Sequence, residues 1–156
     1  MAAGPDSTAG RYPSGTWLGF DFGLRRIGVA VGQTATRTAS PLAVVRHGNQ
    51  SPDWDHLRRL LDEWRPLGLV VGLPLGAEGD ATPMSQRART FGEALAETTG
   101  LPVAWSDERL SSRAAEQRFA ERRASGAARR KDASQLDAMA AAIILENWLQ
   151  SLPHGI

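Results

Sequence analysis

The sequence predicts an α/β fold in which a mixed five-stranded sheet is flanked by helices. Two apolar runs near the N-terminus, Trp17–Phe20 and Ile27–Val31, stand on either side of a short polar turn and predict a β-hairpin. Further along the chain, apolar runs alternate with stretches of helical spacing, which is typical of parallel strands joined by helices. We therefore expect an antiparallel meander of three strands that continues into parallel strands.

The third strand and the first helix follow the hairpin. The third strand is predicted at Ala39–Val45, and Pro41 favours an edge position because proline cannot donate a hydrogen bond to a neighbouring strand. Ser51 is predicted to cap the first helix, with Pro52 at its first position. Apolar residues at helical spacing mark the face of this helix that packs on the sheet: Trp54, Leu57, Leu60, Leu61 and Trp64.

Two further apolar runs predict the second half of the sheet. The continuous run Leu69–Leu73 is typical of a strand covered on both faces, and Leu101–Trp105 is the predicted fifth strand. Between them, Thr82 and Pro83 predict the start of a second helix, and Gly100 predicts its end.

The C-terminal third of the chain is predicted to be helical. A third helix, capped by Ser111 or Ser112, precedes a break rich in glycine and arginine at Ala124–Lys131. A last helix is predicted over Ala133–Leu149. Apolar residues surround most of this helix, so we expect it to be largely buried.

Length and composition indicate one domain of an ordinary globular protein. Residues 1–14 are small, polar and rich in glycine and proline, so we expect a disordered tail, and residues 15–151 then form a single domain. The lack of cysteine excludes disulfides and thiolate chemistry, and the three histidines have no metal-ligand spacing. Without a signal peptide or an apolar run of about 20 residues, we expect a cytoplasmic protein that makes no membrane contact.

Three acidic residues occupy positions where solvated surface charges are not expected. Asp21 closes the first strand, Glu108 follows the end of the fifth, and Asp137 lies near the start of the buried last helix. Functional sites in open α/β sheets collect at the carboxyl ends of the strands. If the first and fifth strands are parallel, Asp21 and Glu108 emerge side by side, and the last helix brings Asp137 to the same place.

A cluster of three carboxylates predicts a divalent metal site. Like charges repel one another unless a cation neutralises them, and oxygen-only ligands select Mg²⁺ or Mn²⁺. Such a cluster can hold two metal ions about 3.5–4 Å apart, which activate a water and stabilise the leaving oxygen in phosphodiester hydrolysis.

Each acidic position also has an ordinary structural explanation. Asp21 suits a turn before Gly23, and Asp137 suits the first turn of a helix, where the helix dipole favours negative charge. For Asp107, which precedes Glu108, we favour a salt bridge to Arg109 or a helix cap over metal binding.

Four sequence blocks in a fixed order resemble one known family. They read G-F-D-F-G-x-x-R-I-G-V-A-V at Gly19–Val31, V-V-G-L-P-L at Val70–Leu75, D-E-R-L-S at Asp107–Ser111 and D-x-x-A-A-A-I-I-L at Asp137–Leu145. Over nearly the whole ordered chain, the sequence is similar to the YqgF/RuvX family. The family usually carries Asn-x-Asp-Gly where this chain has Gly76–Gly79, and we interpret the glycines of the Gly76–Asp80 loop as turn formers rather than as a phosphate cradle.

The resemblance implies a ribonuclease-H-like fold related to the RuvC Holliday-junction resolvase. The catalytic acids of the family fall on Asp21, Glu108 and Asp137 of this sequence. Family members look like nucleases; they were first described as candidate Holliday-junction resolvases and later assigned to 5′-end maturation of the 16S ribosomal RNA precursor. Both activities require the same metal chemistry, so the sequence leaves RNA and branched DNA open as substrates. We expect a monomer or a weak homodimer, the latter being useful where two strands are cut symmetrically.

Arginines supply the predicted contacts to the nucleic acid. Every basic residue except Lys131 is arginine, which suits bidentate phosphate contacts but also fits a general bias towards arginine codons. Arg25 and Arg26 lie in the turn after Asp21, and Arg109 follows Glu108. The densest basic zone comprises Arg118, Arg122, Arg123, Arg129, Arg130 and Lys131. This zone is either a phosphate-binding segment that orders on contact or a solvated helix face with ion pairs.

Two other classes of protein compete with the nuclease hypothesis. Actin-like ATPases and sugar kinases also carry D-x-G after a first strand, but they need a second lobe that this chain is too short to form. A non-catalytic RNA- or ribosome-binding module of the same fold is the third hypothesis. Tryptophans at helical spacing are interpreted as core or interface residues rather than as base-stacking platforms: Trp54, Trp64 and Trp148.

Overall fold

A five-stranded sheet forms the centre of the molecule. The structure, a computed structural model, describes residues 14–48, 51–110 and 133–153. The strands are β1 (Thr16–Phe22), β2 (Arg26–Gln33), β3 (Thr38–Arg46), β4 (Gly68–Leu73) and β5 (Val103–Asp107), and their order in the sheet is β3-β2-β1-β4-β5. Strands β1 to β3 form an antiparallel meander, while β4 runs parallel to both β1 and β5. The predicted mixed sheet is confirmed, and Pro41 lies in the edge strand β3.

Helices cover both faces of this sheet. They are α1 (Trp54–Trp64), α2 (Pro83–Thr99) and α3 (Ala133–Ser151). Helices α1 and α2 pack on one face with Leu18, Phe20 and Val71, whereas α3 packs on the other with Trp17 and Val70. Because neighbouring residues of a strand point to opposite faces, each strand contributes to both cores in alternation.

Helix boundaries follow capping chemistry, with one correction to the sequence interpretation. Thr82 caps α2 by accepting a hydrogen bond from the Ser85 amide, and Gly100 ends the helix in the left-handed conformation, as predicted. The prediction that Ser51 caps α1 is wrong. Pro52 forms an isolated β-bridge with His47 and keeps the chain extended, so the cap passes to Asp53. The predicted third helix and the basic zone from Arg118 to Lys131 lie outside the described residues, as do positions 1–13 of the predicted tail.

Helix α3 approaches the sheet where β1 and β2 carry glycine. A Cβ atom on Gly28 would lie 1.9 Å from the backbone oxygen of Asp137, and one on Gly19 would lie 2.6 Å from Cβ of Leu145. Real side chains do not tolerate such distances, so the helix lies directly against the strand backbones. This close contact places Asp137 over the hairpin that carries Asp21.

Polar contacts fix the C-terminal half of α3 along the sheet. The fully buried Glu146 accepts a hydrogen bond from the Ala39 amide at 2.9 Å. Arg37 donates to the backbone oxygens of Leu149, Leu152 and Pro153, and so satisfies carbonyl groups that a helix end leaves unpaired. These contacts hold the helix against β3 at one end while glycine contacts hold it at the other.

We expect Gly28→Ala to destabilise the protein by about 3 kcal/mol or more, because the new methyl group would meet the α3 backbone and push the helix away. Gly48→Ala is the matched control, since the nearest atom to its Cβ would be the Ser51 oxygen at 3.8 Å. Urea unfolding followed by circular dichroism measures both changes. Equal stability of the two variants would contradict the close-contact explanation.

Candidate active site

Asp21 is the central acidic residue of the site. It lies in β1 opposite Gly28 of β2, on the face of the sheet that α3 covers, and its side chain is half-buried. Burial raises the pKa of Asp21 to about 6, and repulsion by the Asp137 carboxylate adds to the rise. The sequence placed Asp21 at the end of the strand, and in the structure it is the penultimate residue of β1.

Glu108 reaches the same region from the end of β5. It begins a short 3-10 turn, Glu108–Leu110, directly after the strand. Its Oε2 atom lies 2.7 Å from the position that a Cβ atom of Gly72 would occupy, so the carboxylate fills space over β4 that a side chain there would take. Burial raises the pKa of Glu108 to about 7, and the charges of Asp21 and Asp107 raise it further.

Asp137 is the third acid, and it is held by an arginine. Its Oδ2 atom accepts a hydrogen bond from Nε of Arg26 at 2.6 Å, across 111 residues of sequence. The side chains of the pair are 27% and 29% exposed, so the contact is only partly screened by water. Repulsion by Asp137 contributes to the raised pKa of Asp21, and repulsion by Asp21 contributes to the raised pKa of Glu108.

The donor set suits a hard divalent cation, although the three acids do not yet surround one point. Within the parts of the chain that the structure describes, no three acidic or histidine side chains converge closely enough to hold a metal ion. One oxygen of Asp137 instead accepts a hydrogen bond from Arg26. Two half-buried carboxylates with raised pKa values and a third acid on the same face of the sheet provide oxygen ligands of the kind that Mg²⁺ and Mn²⁺ prefer.

Arg109 braces the segment around Glu108. Its side chain donates to both oxygens of Asp107, and its backbone amide donates to Asp107 Oδ1 at 2.9 Å. These hydrogen bonds lower the pKa of Asp107. Arg109 also donates to the backbone oxygen of Ala77 at 3.1 Å, which ties the β5 end to the loop after β4. The salt bridge favoured for Asp107 in the sequence is therefore present.

The loop after β4 is a backbone turn. Gly79 adopts a left-handed conformation with φ of 85°, and its amide donates to the Gly76 oxygen at 2.9 Å. The Gly76 amide donates in turn to the Asp80 oxygen. These bonds fit the interpretation of the loop glycines as turn formers.

The other predicted nucleic-acid contacts are distributed unevenly. Arg25 is exposed in the turn after β1, whereas Arg26 and Arg109 are engaged with Asp137 and Asp107. The remaining candidates lie outside the described residues: Arg122, Arg123, Arg129, Arg130 and Lys131.

His47 is a contact of this region that the sequence did not reveal. Its Nε2 atom lies 2.8 Å from the Gly23 oxygen and so supports the turn beside Asp21. The bond joins residues 24 positions apart, and no local pattern in the sequence marks it.

A family model described as "RuvX: Holliday junction resolvase" matches residues 15–151. The chain belongs to the RuvX family. Among its curated relatives is a protein of Xanthomonas oryzae pv. oryzae named "Putative pre-16S rRNA nuclease", which is 53% identical over 137 residues and is matched over 88% of both chains. A protein of the same name from Hydrogenovibrio crunogenus is 47% identical, over 88% of this chain and 96% of its own. This RuvX chain is therefore a member of a family of nucleases, enzymes that hydrolyse phosphodiester bonds.

Comparison with solved structures identifies the fold of the RuvX chain. It superposes with a TM-score of 0.52 on T. thermophilus RuvC in complex with a Holliday junction substrate, at 19% identity over 86% of this chain and 94% of the other. The TM-score to the yeast mitochondrial Holliday junction resolvase Ydc2 is 0.54, at 14% identity over 89% and 79%. The predicted ribonuclease-H-like fold is confirmed. Among the described residues, the helices lack the length and apolar character that a bilayer crossing would need.

We expect Asp21→Asn to stabilise the metal-free protein at pH 8. The folded state holds the Asp21 proton up to about pH 6 and the unfolded state only up to about pH 4, so wild-type stability falls as pH rises through this window. The asparagine amide carries no charge and so avoids this loss of stability. The free energy of unfolding of the variant should therefore exceed that of the wild type by about 1–3 kcal/mol at pH 8. The difference should shrink below pH 4.5.

Denaturant unfolding in EDTA across the pH range measures this effect. Asp62→Asn, on the exposed side of α1, is the control and should show no such pH-dependent difference. A pH-independent effect of Asp21→Asn would mean that the Asp21 carboxylate is not strained by burial and repulsion.

Proposed function

We propose that this protein is a metal-dependent nuclease that acts on the precursor of 16S ribosomal RNA in the cytoplasm. Asp21, Glu108 and Asp137 hold Mg²⁺ or Mn²⁺, with room for two ions when the substrate is bound. The observation that carries the proposal is the placement of three acids on the sheet face that α3 covers: Asp21 lies opposite Gly28, the Asp137 backbone lies over Gly28, and Glu108 lies over Gly72. Such a cluster costs folding free energy and is reasonable where a cation relieves it.

In the proposed hydrolysis, the metal ion and the protein side chains have separate roles. Divalent ions of this type activate a water and stabilise the leaving oxygen of a phosphodiester. The chain's own contribution begins with Asp21 and Glu108, which release their protons near neutral pH and then offer charged oxygens. Arg25, exposed in the turn that follows β1, would contact a neighbouring phosphate.

In this proposal, Arg26 first pairs with Asp137 and then contacts the substrate. Arg26 forms a salt bridge with Asp137, and Asp137 would have to leave this salt bridge to join Asp21 and Glu108 as a metal ligand. The Arg26 guanidinium would then be free to contact a phosphate of the substrate. Arg109 acts indirectly, since its bonds to Asp107 and Ala77 fix the segment from which Glu108 projects.

RNA is the favoured substrate, and a four-way DNA junction is the second candidate. Curated relatives at 47% and 53% identity carry the pre-16S rRNA name, which supports RNA. The family description names Holliday junction resolvase, which supports the junction. The structural neighbours are below 20% identity and bear on the fold alone. RNA trimming needs one copy of the chain, whereas symmetric junction cutting would favour a homodimer.

Cleavage assays separate these functions. Purified protein is incubated with labelled ribosomal RNA precursor and with a four-way DNA junction, each with Mn²⁺ or with EDTA. We expect Mn²⁺-dependent cleavage of the RNA, lowered by more than about a hundredfold in Asp21→Asn because a direct ligand should matter at least as much as the groups that orient one. Asp62→Asn should cleave normally.

Five results would contradict the proposal. Cleavage in EDTA, or by Asp21→Asn, would exclude the metal mechanism. Cutting of the junction alone would favour the resolvase. Binding of RNA without cleavage would favour a non-catalytic module, and strong ATP turnover would favour the ATPase class.

Replacement of Arg26 tests its competition with the metal ion. We expect Arg26→Gln to bind Mn²⁺ about two- to fivefold more tightly in the absence of nucleic acid, since a partly exposed salt bridge no longer has to be broken. Arg46→Gln removes an equal charge from the residue that pairs with Arg26 in β3 and leaves the salt bridge intact. Isothermal titration calorimetry gives both affinities. An equal gain in Mn²⁺ affinity in the two variants would mean that the lost positive charge, and not the broken salt bridge, causes the tighter binding.

A further inference from the structure

A groove lies on the face of the sheet opposite α3. It has a volume of about 580 Å³ and runs between the start of α1, the first half of α2 and the end of β1. Aromatic rings line it: Phe22 lies 5.1 Å from Phe91 between ring centroids, and Trp54 lies 6.1 Å from Phe91. Phe22 and Trp54 pack against the core but are only partly buried, so they leave apolar ring surface at the groove.

A second cavity of about 650 Å³ adjoins this groove and shares Phe22 and Arg87 with it. Arg25 and His47 also line this second cavity. Both arginines are exposed, and none of the described residues that line either cavity is acidic. The two cavities together form an aromatic wall with a basic rim, which we call the Phe22–Trp54 groove.

The Phe22–Trp54 groove begins beside the candidate active site. Asp21 and Phe22 are consecutive in β1, so their side chains point to opposite faces of the sheet. The turn that follows them carries Arg25, which lines the second cavity. A strand of nucleic acid that crosses this turn can therefore present a phosphate to the acids and its next nucleotides to the groove.

We propose that the Phe22–Trp54 groove binds a single-stranded segment of the substrate next to the bond that is cleaved. Bases pack against Trp54 and Phe22, and the phosphates contact Arg25 and Arg87. Flat apolar rings beside exposed cations are the chemistry by which proteins bind single strands without a strong sequence preference. The inference rests on the proposed function, and it narrows the substrate class to folded RNA with a single-stranded flank.

A binding assay in the absence of catalysis tests the inference. The Asp21→Asn protein is titrated in EDTA, by fluorescence anisotropy, with a blunt RNA duplex and with the same duplex carrying a short single-stranded overhang. We expect the overhang to tighten binding about fivefold or more, as stacking of a single base on an aromatic side chain does. A DNA overhang of the same sequence shows whether the groove distinguishes the two sugars.

Variants of the groove residues test whether the tighter binding of the overhang arises in the Phe22–Trp54 groove. Added to the Asp21→Asn protein, Trp54→Leu or Arg87→Gln should remove most of the preference for the overhang while leaving the affinity for the blunt duplex unchanged. Arg59→Gln, which removes an exposed arginine of α1 outside the groove, should keep the preference. If Trp54→Leu fails to fold, Arg87→Gln still decides, because Arg87 is exposed on α2.

The possible failures are distinct. Equal affinity for the two duplexes, or equal losses for both in the groove variants, would overturn the groove while leaving the nuclease intact if the RNA precursor is cleaved. A preference for the overhang without cleavage of any substrate would support the groove and overturn the proposed activity. A dimer that dissociates in Trp54→Leu would assign the groove to a second copy of the chain and overturn the inference. Absence of binding to either duplex would overturn the groove, while cleavage of the RNA precursor with Mn²⁺ would still decide the proposed activity.

Discussion

The close contact between α3 and the sheet determines the geometry of the site. Only glycine can stand at Gly28 and Gly19 with a helix backbone and a leucine so near, and this contact brings Asp137 to within electrostatic reach of Asp21. The energetic consequence falls on Asp21 and Glu108, whose pKa values are raised by burial and, to a lesser extent, by repulsion from neighbouring carboxylates. Arg26 forms a salt bridge with the third carboxylate, Asp137, and the proposed cation would neutralise all three.

Much of the fold could be predicted from the sequence because each element has a local signal. The alternation of apolar runs with helical patterns predicted which strands are antiparallel and which are parallel. Thr82 and Gly100 marked the two ends of α2 through their capping chemistry. The start of α1 was misplaced, since Ser51 and Pro52 have the right composition for a cap. What keeps Pro52 extended is its bridge to His47, a tertiary contact that local spacing does not record.

The candidate acids could be selected from the sequence, but the salt bridges around them could not. A carboxylate at a strand end or on a buried helix is visible as a pattern, which led to Asp21, Glu108 and Asp137. The salt bridge between Arg26 and Asp137 spans 111 residues and depends on how α3 crosses β2, so no periodicity predicts it. The phosphate contacts expected of Arg26 and Arg109 stay predictions, and in the structure each arginine forms a salt bridge with an acid of its own chain.

Strand β1 is hydrogen-bonded on both sides, to β2 and to β4, and lies in the middle of the sheet. Asp21 pairs with Gly28 of β2 and directly follows Phe20, the last residue of β1 that also pairs with β4, so its backbone is held in the sheet. Glu108 instead begins a short turn, and Asp137 lies near the first turns of a helix. If the three acids hold a metal ion as proposed, cations of unequal radius would be accommodated by displacement of Glu108 and Asp137 around a stationary Asp21. Exchange of one metal ion for another should then leave the hairpin unmoved.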